Sequence, residues 1–377
     1  MESDCHALLV NRIRQRGPIT VAEFMEVALY APGAGYYARA VQRSGRAGDF
    51  VTSVDVGPLF GELLAVQIAE LWHRLMPRGG DGPGRFNLVE AGAGNGRLSR
   101  DILDTLARRE PVLYESIQLL LVERSAAARI AQPGTLGPHA HKLASSSPDL
   151  PDTVEGVVFA NELLDAFPVH LVVMTSTGLG EIYVDLDGGS FIERVGPPST
   201  KRLAQYFEDL GITLHPGVTV DVNLAAVDWI RDASRHLARG FVLLIDYGYE
   251  AVTMYAQPDA VGTLTAFSQQ MADPPVPGGR RSTPSWLVAP GARDLTSHVD
   301  FTTLRREAAQ AGLRTLAVSS QSRFLLDLVE RSGLVGDLER PDRLHDRLAI
   351  KSLLVPGGLG SSHTVIVFGK NVDGALT

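Results

Sequence analysis

The sequence has little that would define a disulfide-stabilised or membrane-spanning protein. It contains one cysteine, Cys5, which excludes an internal disulfide framework and a multi-cysteine zinc site. No apolar run approaches the roughly 18 residues of a membrane-spanning helix. Residues 1–17 (MESDCHALLVNRIRQRG) lack the apolar core of a signal peptide and carry acidic residues early, unlike a transit peptide. We therefore expect a cytoplasmic protein that binds no metal and has no membrane partner.

Basic residues are also in the minority. The 35 Lys and Arg against 43 Asp and Glu give a net charge of −8, which argues against a nucleic-acid partner. The contents of 45% hydrophobic and 21% charged residues are typical of a globular protein. A length of 377 residues allows one large domain with additions, or two domains.

One stretch, residues 86–98 (FNLVEAGAGNGRL), has the pattern of a nucleotide-binding turn. It begins as an apolar run typical of a buried parallel strand, and residues 98–109 carry apolar side chains at helical spacing. Between them stand Gly92, Gly94 and Gly96, which let the backbone turn tightly and let a ligand approach the main chain. A strand, a glycine turn and a helix form the first unit of many nucleotide-binding α/β domains.

The spacing of these glycines discriminates between cofactors. A dinucleotide fingerprint, G-x-G-x-x-G, would require glycine at position 97, which is Arg97. The pattern E-x-G-x-G-x-G, which starts at Glu90, is that of class I S-adenosylmethionine (SAM) methyltransferases. A glycine-rich turn of some other α/β protein is the alternative interpretation of this stretch alone.

The flanking sequence predicts further elements of an α/β fold. Two amphipathic helices, near residues 8–13 and 24–29, come first, and Thr20 with Glu23 matches a capping box for the second. Residues 170–195 alternate in the manner of antiparallel strands. Other predicted strands lie at residues 117–125, 139–144, 154–160, 240–248, 313–319 and 363–370, and later helices at residues 201–210, 223–237, 301–311 and 322–333.

From these elements we predict a seven-stranded Rossmann-like sheet of the class I SAM-methyltransferase type, with an antiparallel strand at its end. Residues 1–80 would form an N-terminal helical and loop extension that contributes to the site. Residues 81–377 would form the methyltransferase domain, with an antiparallel β insertion after strand four at about residues 170–222. A Pro/Gly-rich segment at residues 273–293 would be an ordered loop or a lid.

Polar residues follow four of the predicted strands: Glu90, Glu123, Asn161-Glu162 and Asp246-Tyr247. Ligands of doubly wound sheets bind beyond the carboxyl ends of the strands, so the pattern predicts a ligand site there. Glu123 is suited to accept hydrogen bonds from a ribose diol. Its alternative role is a charge at a helix N-terminus that favours the helix dipole.

Four residues are candidates for the methyl-transfer chemistry. Glu162 and Asp165 would share one face if a helical turn starts there, and two carboxylates could orient a cationic nitrogen nucleophile. The alternative is that they cap the following turn. His298 and Asp300 could supply a base and its orienting partner, although a structural histidine is the alternative for His298.

Seven blocks of sequence resemble the MidA-like methyltransferases, a family that includes a mitochondrial complex I assembly protein arginine methyltransferase. They occur in family order at residues 18–37, 48–62, 88–103, 157–169, 243–248, 262–267 and 294–301. The resemblance implies SAM as cofactor and, at least for the mitochondrial member, a protein arginine as acceptor, and it suggests a homodimer. The segment before the last block is longer than in the family pattern, and Ala292-Arg293 stands where an acidic pair is common, so the substrate can differ.

The resemblance also assigns the site residues. Those expected to bind the cofactor are Glu90, Gly92, Gly94, Gly96, Glu123 and Asn161, with Asp49, Thr52 and Ser53 on a loop that closes over it. Those expected to be catalytic are Glu162, Asp165, His298 and Asp300. We predict a SAM-dependent methyltransferase that acts on a protein side-chain nitrogen, with arginine favoured. The alternatives are a small-molecule methyltransferase, a non-catalytic SAM-binding assembly factor and, less favoured, an NAD-dependent oxidoreductase.

Overall fold

A computed structural model describes residues 4–38, 53–76, 84–268, 271–272, 283–333, 349, 353 and 363–372. Its helices are α1 Asp4–Arg16, α2 Val21–Tyr30, α3 Leu59–Leu75, α4 Arg97–Arg109, α5 Pro111–Ser116, α6 Ala126–Leu136, α7 Arg202–Leu210, α8 Leu224–His236, α9 Ala251–Tyr255, α10 Phe301–Gln310 and α11 Gln321–Arg331. Its strands are β1 Ile19–Thr20, β2 Phe86–Ala91, β3 Ile117–Val122, β4 Leu143–Ser147, β5 Val154–Asn161, β6 His170–Thr175, β7 Gly178–Asp187, β8 Ser190–Gly196, β9 Thr219–Val222, β10 Leu237–Tyr249, β11 Thr265–Ser268, β12 Met271–Ala272, β13 Asp294–Thr296, β14 Val299–Asp300, β15 Arg314–Ser320 and β16 His363–Lys370.

The largest sheet is mixed, with the order β15-β16-β10-β5-β2-β3-β4 and the short β14 beside β10. Strand β16 runs antiparallel to both of its neighbours, and the pairs among β10, β5, β2, β3 and β4 are parallel. Parallel neighbours end at the same edge of a sheet. The carboxyl ends of β2, β3, β5 and β10 therefore meet at one edge.

Both faces of this sheet are buried. Successive side chains of a strand point to opposite faces, so neighbouring residues belong to different cores. Leu88 and Leu243 belong to a core shared with α3, α4 and α11. Their neighbours Val89 and Val242 belong to a second core shared with α8 and α10. Helices on both faces explain why the central strands are nearly continuous runs of apolar residues.

A second, antiparallel sheet has the order β1-β7-β6-β9, with β8 beside β7. Strand β1 joins it through the pair Ile19 and Val184, so the N-terminal part of the chain and its middle share one layer. Helices α1 and α2 pack on this layer together with the buried Trp286 and Leu287. Strands β12, β11 and β13 form a third, small sheet.

The largest sheet has eight strands when the short β14 is included, whereas seven were predicted. Two local predictions have different outcomes. The capping box is confirmed, since the Thr20 side chain accepts from Glu23 N and the Glu23 carboxylate accepts from Thr20 N. The prediction of a strand at residues 139–144 is wrong at its start. Residues 137–142 form a 3₁₀ helix, and β4 begins only at Leu143. Pro138 stands in the first turn of that helix, where its fixed φ favours a helical start.

Among the described helices, none is both long enough and apolar enough to cross a membrane.

Candidate active site at the carboxyl edge of the mixed sheet

The glycine turn lies at this edge, between β2 and α4. Gly92, Gly94 and Gly96 have φ values of +73°, +49° and +84°, which L side chains rarely adopt. A Cβ built on Gly94 would meet no described atom within 4 Å, so the main chain there faces open space. A Cβ on Gly92 would instead lie 2.9 Å from the Leu163 side chain. Glycine is therefore required by backbone conformation at the turn and leaves room for a ligand at Gly94.

Glu123 follows β3 and reaches the glycine turn. Its two carboxylate oxygens accept hydrogen bonds from Gly94 N at 2.8 Å and Ser125 N at 2.7 Å. The buried Gln132 of α6 supports the same turn, since its Nε2 donates to Gly94 O at 2.8 Å. Gln132 was not predicted, because a single glutamine in a helix gives no sequence signal for a loop that is remote in the chain. The structure thus brings Glu123 and Gly94 into direct contact, and their role in binding a cofactor stays a prediction.

Glu90 lies beneath the turn rather than beside it. It is 5% exposed and accepts a hydrogen bond from the Ser99 hydroxyl of α4. Burial raises its pKa from 4.5 to about 8, although the Ser99 hydrogen bonds oppose the shift. Glu90 therefore links β2 to the first turn of α4, and its role in binding a cofactor stays a prediction.

The segment after β5 does not form the helical turn that was expected for Glu162 and Asp165. Glu162 has a φ of +50°, and residues 162–167 adopt bends and turns instead. The physical reason is Asp246 at the end of β10, whose carboxylate accepts from Leu163 N at 3.2 Å and Leu164 N at 2.8 Å. These main-chain donors are satisfied from a neighbouring strand, so no helix is needed to satisfy them.

Glu162 is the centre of a group of polar contacts. Its Oε1 accepts from Asn161 Nδ2 at 3.1 Å and from Ser53 N at 3.4 Å. His363 Nε2, at the start of β16, lies 3.6 Å from the same oxygen. Ser53 is fully buried, and its hydroxyl accepts from Gln321 Nε2 at 3.0 Å. The structure therefore brings together three predicted residues, Asn161, Glu162 and Ser53. His363 joins them; the sequence placed it in a strand and gave no sign that it lies at the site.

Asp165 is buried next to Tyr247. The Tyr247 hydroxyl donates to Asp165 Oδ2. Burial raises the pKa of Asp165 from 3.8 to about 7, and the Tyr247 hydrogen bond opposes this shift. The pKa of Asp246 is also raised, first by burial and then by the negative charge of Asp165. Two buried carboxyls close together cannot both ionise easily, so this part of the site favours a positively charged ligand.

His298 packs against the other side of Tyr247. Its ring makes edge contacts with Tyr247 and Tyr249, at centroid distances of 5.5 and 5.2 Å. Its main-chain N–H donates to Thr263 Oγ1 at 2.8 Å. Burial lowers its pKa, which favours the neutral imidazole. The structure thus places His298 and Asp165 on the same tyrosine.

Asp300 has a different environment from His298. It is the N-cap residue of α10, and its oxygens accept from Thr302 N at 2.9 Å and Thr303 N at 3.2 Å. The Tyr206 hydroxyl also donates to it, at 2.6 Å. These bonds engage both carboxylate oxygens in holding the start of α10. The structure therefore does not bring the Asp300 carboxylate together with Asp165.

The segment before α3 closes one side of the glycine turn. A 3₁₀ turn at Ser53–Val56 carries Asp55, whose carboxylate lies 3.0 Å from the Arg97 guanidinium at the start of α4. Arg97, the residue that argued against a dinucleotide, thus ties this segment to the turn. Asp49 and Thr52 lie outside the described residues.

Two tyrosines from the N-terminal part of the chain extend the site. Tyr30 and Tyr37 stack with a centroid distance of 5.6 Å and an interplanar angle of 22°. The Tyr30 hydroxyl donates to Ala166 O at 2.7 Å, and the Tyr37 hydroxyl donates to Asp294 at 2.8 Å. The Arg124 guanidinium lies 4.1 Å from the centroid of the Tyr30 ring. None of these was predicted individually, although Tyr30, Tyr37 and Asp294 fall within the blocks that carry the family resemblance.

Comparison with known proteins defines the class. A family model described as "Putative S-adenosyl-L-methionine-dependent methyltransferase" matches residues 63–319, and the chain belongs to this family. A crystal structure of a protein from Burkholderia thailandensis bound to S-adenosyl-homocysteine is similar, with a TM-score of 0.85 and 32% identity. The alignment covers 99% of this chain and 93% of that chain. The fold is thus the mixed α/β fold of SAM-dependent methyltransferases, and SAM is the cofactor.

Named relatives are more specific. The Mus musculus "Protein arginine methyltransferase NDUFAF7, mitochondrial" is 30% identical over 347 residues, which cover 85% of this chain and 73% of the relative. Its Homo sapiens counterpart is 31% identical over 348 residues, covering 85% and 72%. These relatives confirm the MidA-like resemblance and the prediction of a SAM-dependent methyltransferase.

The prediction of a cytoplasmic location is wrong by the same comparison. The mouse, human and Drosophila melanogaster relatives are all named mitochondrial, which points away from the cytoplasm. The prediction rested on the composition of residues 1–17, and the composition of so short a segment is weak evidence for a compartment.

Proposed function

We propose that this methyltransferase acts on a side-chain nitrogen of a protein, with the guanidinium group of arginine as the favoured acceptor. The observation that carries the proposal is the pair of carboxyls, Glu162 and Asp165, beside the edge where the glycine turn lies. Opposite charge and hydrogen-bond acceptors are what a cationic nitrogen needs for orientation. The relatives named protein arginine methyltransferase support the same acceptor.

The residues at the glycine turn fit the cofactor. The open space beside Gly94 leaves room for a ligand. Each Glu123 oxygen accepts one main-chain N–H and keeps a second lone pair that could accept from a ribose hydroxyl. In the proposed arrangement Gly92, Gly94 and Gly96 cradle the methionine end and the ribose, and Asn161 lies near the adenine or the sulfonium end. Asp49, Thr52 and Ser53 would close over the site, and Glu90 would fix the turn from below. When bound, SAM supplies an activated methyl group and its own leaving group.

The chain itself then has to orient the nucleophile and take up its proton. Glu162 and Asp165 would hold the acceptor nitrogen in line, an effect of position that can contribute several kcal/mol, about 7–11 at most, to lowering the barrier. Asp165, with a pKa raised to about 7, is matched to accept a proton near neutral pH. His298 would support it as a neutral polar group, and Asp300 would act indirectly by fixing the start of α10.

The two additional sheets suggest how a protein substrate would be bound. We assign residues 170–222 as an insertion into the methyltransferase domain 81–377, and residues 1–80 as an extension that packs on it through β1. Tyr30 and Tyr37 of that extension reach Ala166 and Asp294 beside the site. Of the predicted Pro/Gly-rich loop at residues 273–293, residues 273–282 lie outside the described residues. Residues 283–293, which include the buried Trp286, would form one wall of the acceptor cleft. A homodimer, as in the family resemblance, is part of the proposal.

Labelling tests the proposed function. The protein is incubated with SAM labelled at the methyl group and with lysate, and the expected result is one or a few labelled protein bands. Acid hydrolysis of the labelled protein should then release methylarginine. Label found only in small molecules would favour the small-molecule methyltransferase, and SAM binding without any labelled product would favour the assembly factor. The wild-type protein and Glu162→Gln are compared, because Gln keeps the size of the side chain and removes its charge.

A further inference from the structure

Ser297 is a buried polar residue of the site to which the proposed function gives no role. It connects β13 to β14, is 1% exposed, and donates its main-chain N–H to Asp165 O at 2.9 Å. Its hydroxyl has no hydrogen-bond partner in the part of the chain that the structure describes. The same holds, among the described residues, for Asp165 Oδ1 and His298 Nδ1. Buried polar atoms are normally paired, so three of them on residues that contact one another are candidates for binding a polar group.

Hydrogen bonds to a second sheet fix the main chain that carries Ser297 and His298. His298 N donates to Thr263 Oγ1, and the Thr263 hydroxyl donates at 2.8 Å to the carboxylate of Asp221, which is 3% exposed. Asp221 lies on β9, so the second sheet anchors the connection from behind. On the other side, the Tyr247 hydroxyl donates to Asp165 Oδ2, whereas Oδ1 is buried without a hydrogen-bond partner among the described residues.

The chemistry of the three atoms indicates what they bind. An ionised carboxylate only accepts hydrogen bonds, a serine hydroxyl can accept, and a neutral imidazole can accept at Nδ1. Burial lowers the pKa of His298 and so favours the neutral imidazole. A guanidinium group offers five N–H donors in one plane, whereas an ammonium group offers three. A set of several acceptors at fixed positions suits the guanidinium group better.

We propose that Ser297 contacts the substrate, accepting a hydrogen bond from the guanidinium group of the methyl acceptor together with Asp165 and His298. This proposal rests on the proposed function and adds to it the residues that would select a guanidinium over an ammonium group. It also predicts an unusual relation between stability and binding. Removing a buried hydroxyl that has no internal partner relieves an unfavourable burial, so Ser297→Ala should not destabilise the free protein.

Ser234 provides a matched control. It is also 1% exposed, but it lies on α8 and its hydroxyl donates to Ala311 O at 2.7 Å. Ser234→Ala loses a satisfied hydrogen bond and should lower the melting temperature by about 2 °C. The two variants remove the same atoms at the same burial, so they separate a structural hydroxyl from a ligand-binding one.

The experiment measures binding of ethylguanidinium and ethylammonium to the protein saturated with S-adenosyl-homocysteine. Wild type and Ser234→Ala should bind ethylguanidinium more tightly than ethylammonium. Ser297→Ala should bind ethylguanidinium about tenfold more weakly, the loss of one hydrogen bond to a charged group, with unchanged affinity for S-adenosyl-homocysteine. Its melting temperature without ligand should equal or exceed that of the wild type.

Three results would overturn the proposal. They are an ethylguanidinium affinity of Ser297→Ala equal to that of wild type, a fall in its melting temperature like that of Ser234→Ala, and the absence of ethylguanidinium binding to wild type. The labelling experiment tests the proposed function separately. If the protein binds ethylguanidinium at this site but labels no protein band, the proposed function is wrong and the proposal for Ser297 stands.

Discussion

Gly94→Ala tests whether the glycine turn holds the cofactor by close approach of its main chain. The substitution adds a single methyl group at a φ of +49° and leaves the N–H that donates to Glu123 in place. The new Cβ meets no described atom within 4 Å, so it does not clash inside the free protein. Any loss of affinity must then come from a steric contact between the new methyl group and the ligand.

The magnitude follows from two separate costs. An L residue in the left-handed region costs about 1–2 kcal/mol, and alanine recovers about 0.4–1 kcal/mol by restricting the unfolded chain. The free protein should therefore lose about 1 kcal/mol of its free energy of unfolding. A methyl group forced into a packed contact costs a further 1–3 kcal/mol, roughly. At about 1.4 kcal/mol for each factor of ten, affinity for S-adenosyl-homocysteine should fall about 5-fold to 150-fold.

Calorimetric titration with S-adenosyl-homocysteine measures the affinity, and urea unfolding measures the stability. Gly211→Ala is the matched control, because Gly211 has a φ of +64°, has no described atom within 4 Å of its Cβ position and follows α7 away from the glycine turn. It should lose the same stability and keep its affinity. An undiminished affinity in Gly94→Ala, or an equal loss in Gly211→Ala, would refute the reasoning.

Three further predictions concern charged groups. Because burial raises the pKa of Asp165 to about 7, the rate of methyl transfer from labelled SAM should rise with pH around this value. The Asp165→Asn variant should not show this rise. A wild-type rate that does not change with pH would contradict the prediction. The pKa of Glu90 is raised from 4.5 to about 8, so the folded state keeps a proton that the unfolded chain releases, and stability should fall as pH rises between these values. Melting curves across that range should show a smaller fall for Glu90→Gln, and identical slopes would count against the buried carboxyl. Arg124→Ala removes a contact over the Tyr30 ring and a half-exposed ion pair with Glu26, and urea unfolding should show a loss of about 0.5–1 kcal/mol. In the Arg124→Ala variant, Glu26→Gln should cause no further loss of stability. If the losses of the two substitutions add, Arg124 and Glu26 are not coupled.

Local features of the site were predictable because their physical cause is local. The three glycines signal a turn that needs positive φ, and the structure has it at all three. Glu123 follows a buried parallel strand, whose end has to lie beside the end of its neighbour, and the hydrogen bond from Gly94 N follows from that arrangement. The capping box of α2 spans only four residues and forms as expected.

The helical turn expected to place Glu162 and Asp165 on one face does not form, because a distant residue determines the local conformation. Spacing alone suggested a helical turn, but Asp246, more than 80 positions later in the chain, takes the main-chain donors of residues 163 and 164. Asp300 shows the same limit. Its place in a family block suggested a part in the site, whereas the contacts of its carboxylate are those of a helix N-cap.

The sequence by itself determined the class of this protein: a strand, a glycine turn with E-x-G-x-G-x-G spacing and acidic strand ends, which need only neighbouring residues to define them. Only the tertiary structure decided which distant residues meet beside the glycine turn. Tyr37 meets Asp294 across 257 positions, and Gln321 meets Ser53 across 268. Such contacts depend on how the N-terminal helices pack on the second sheet, and side-chain periodicity reports which face of an element is buried but not which distant residue covers it.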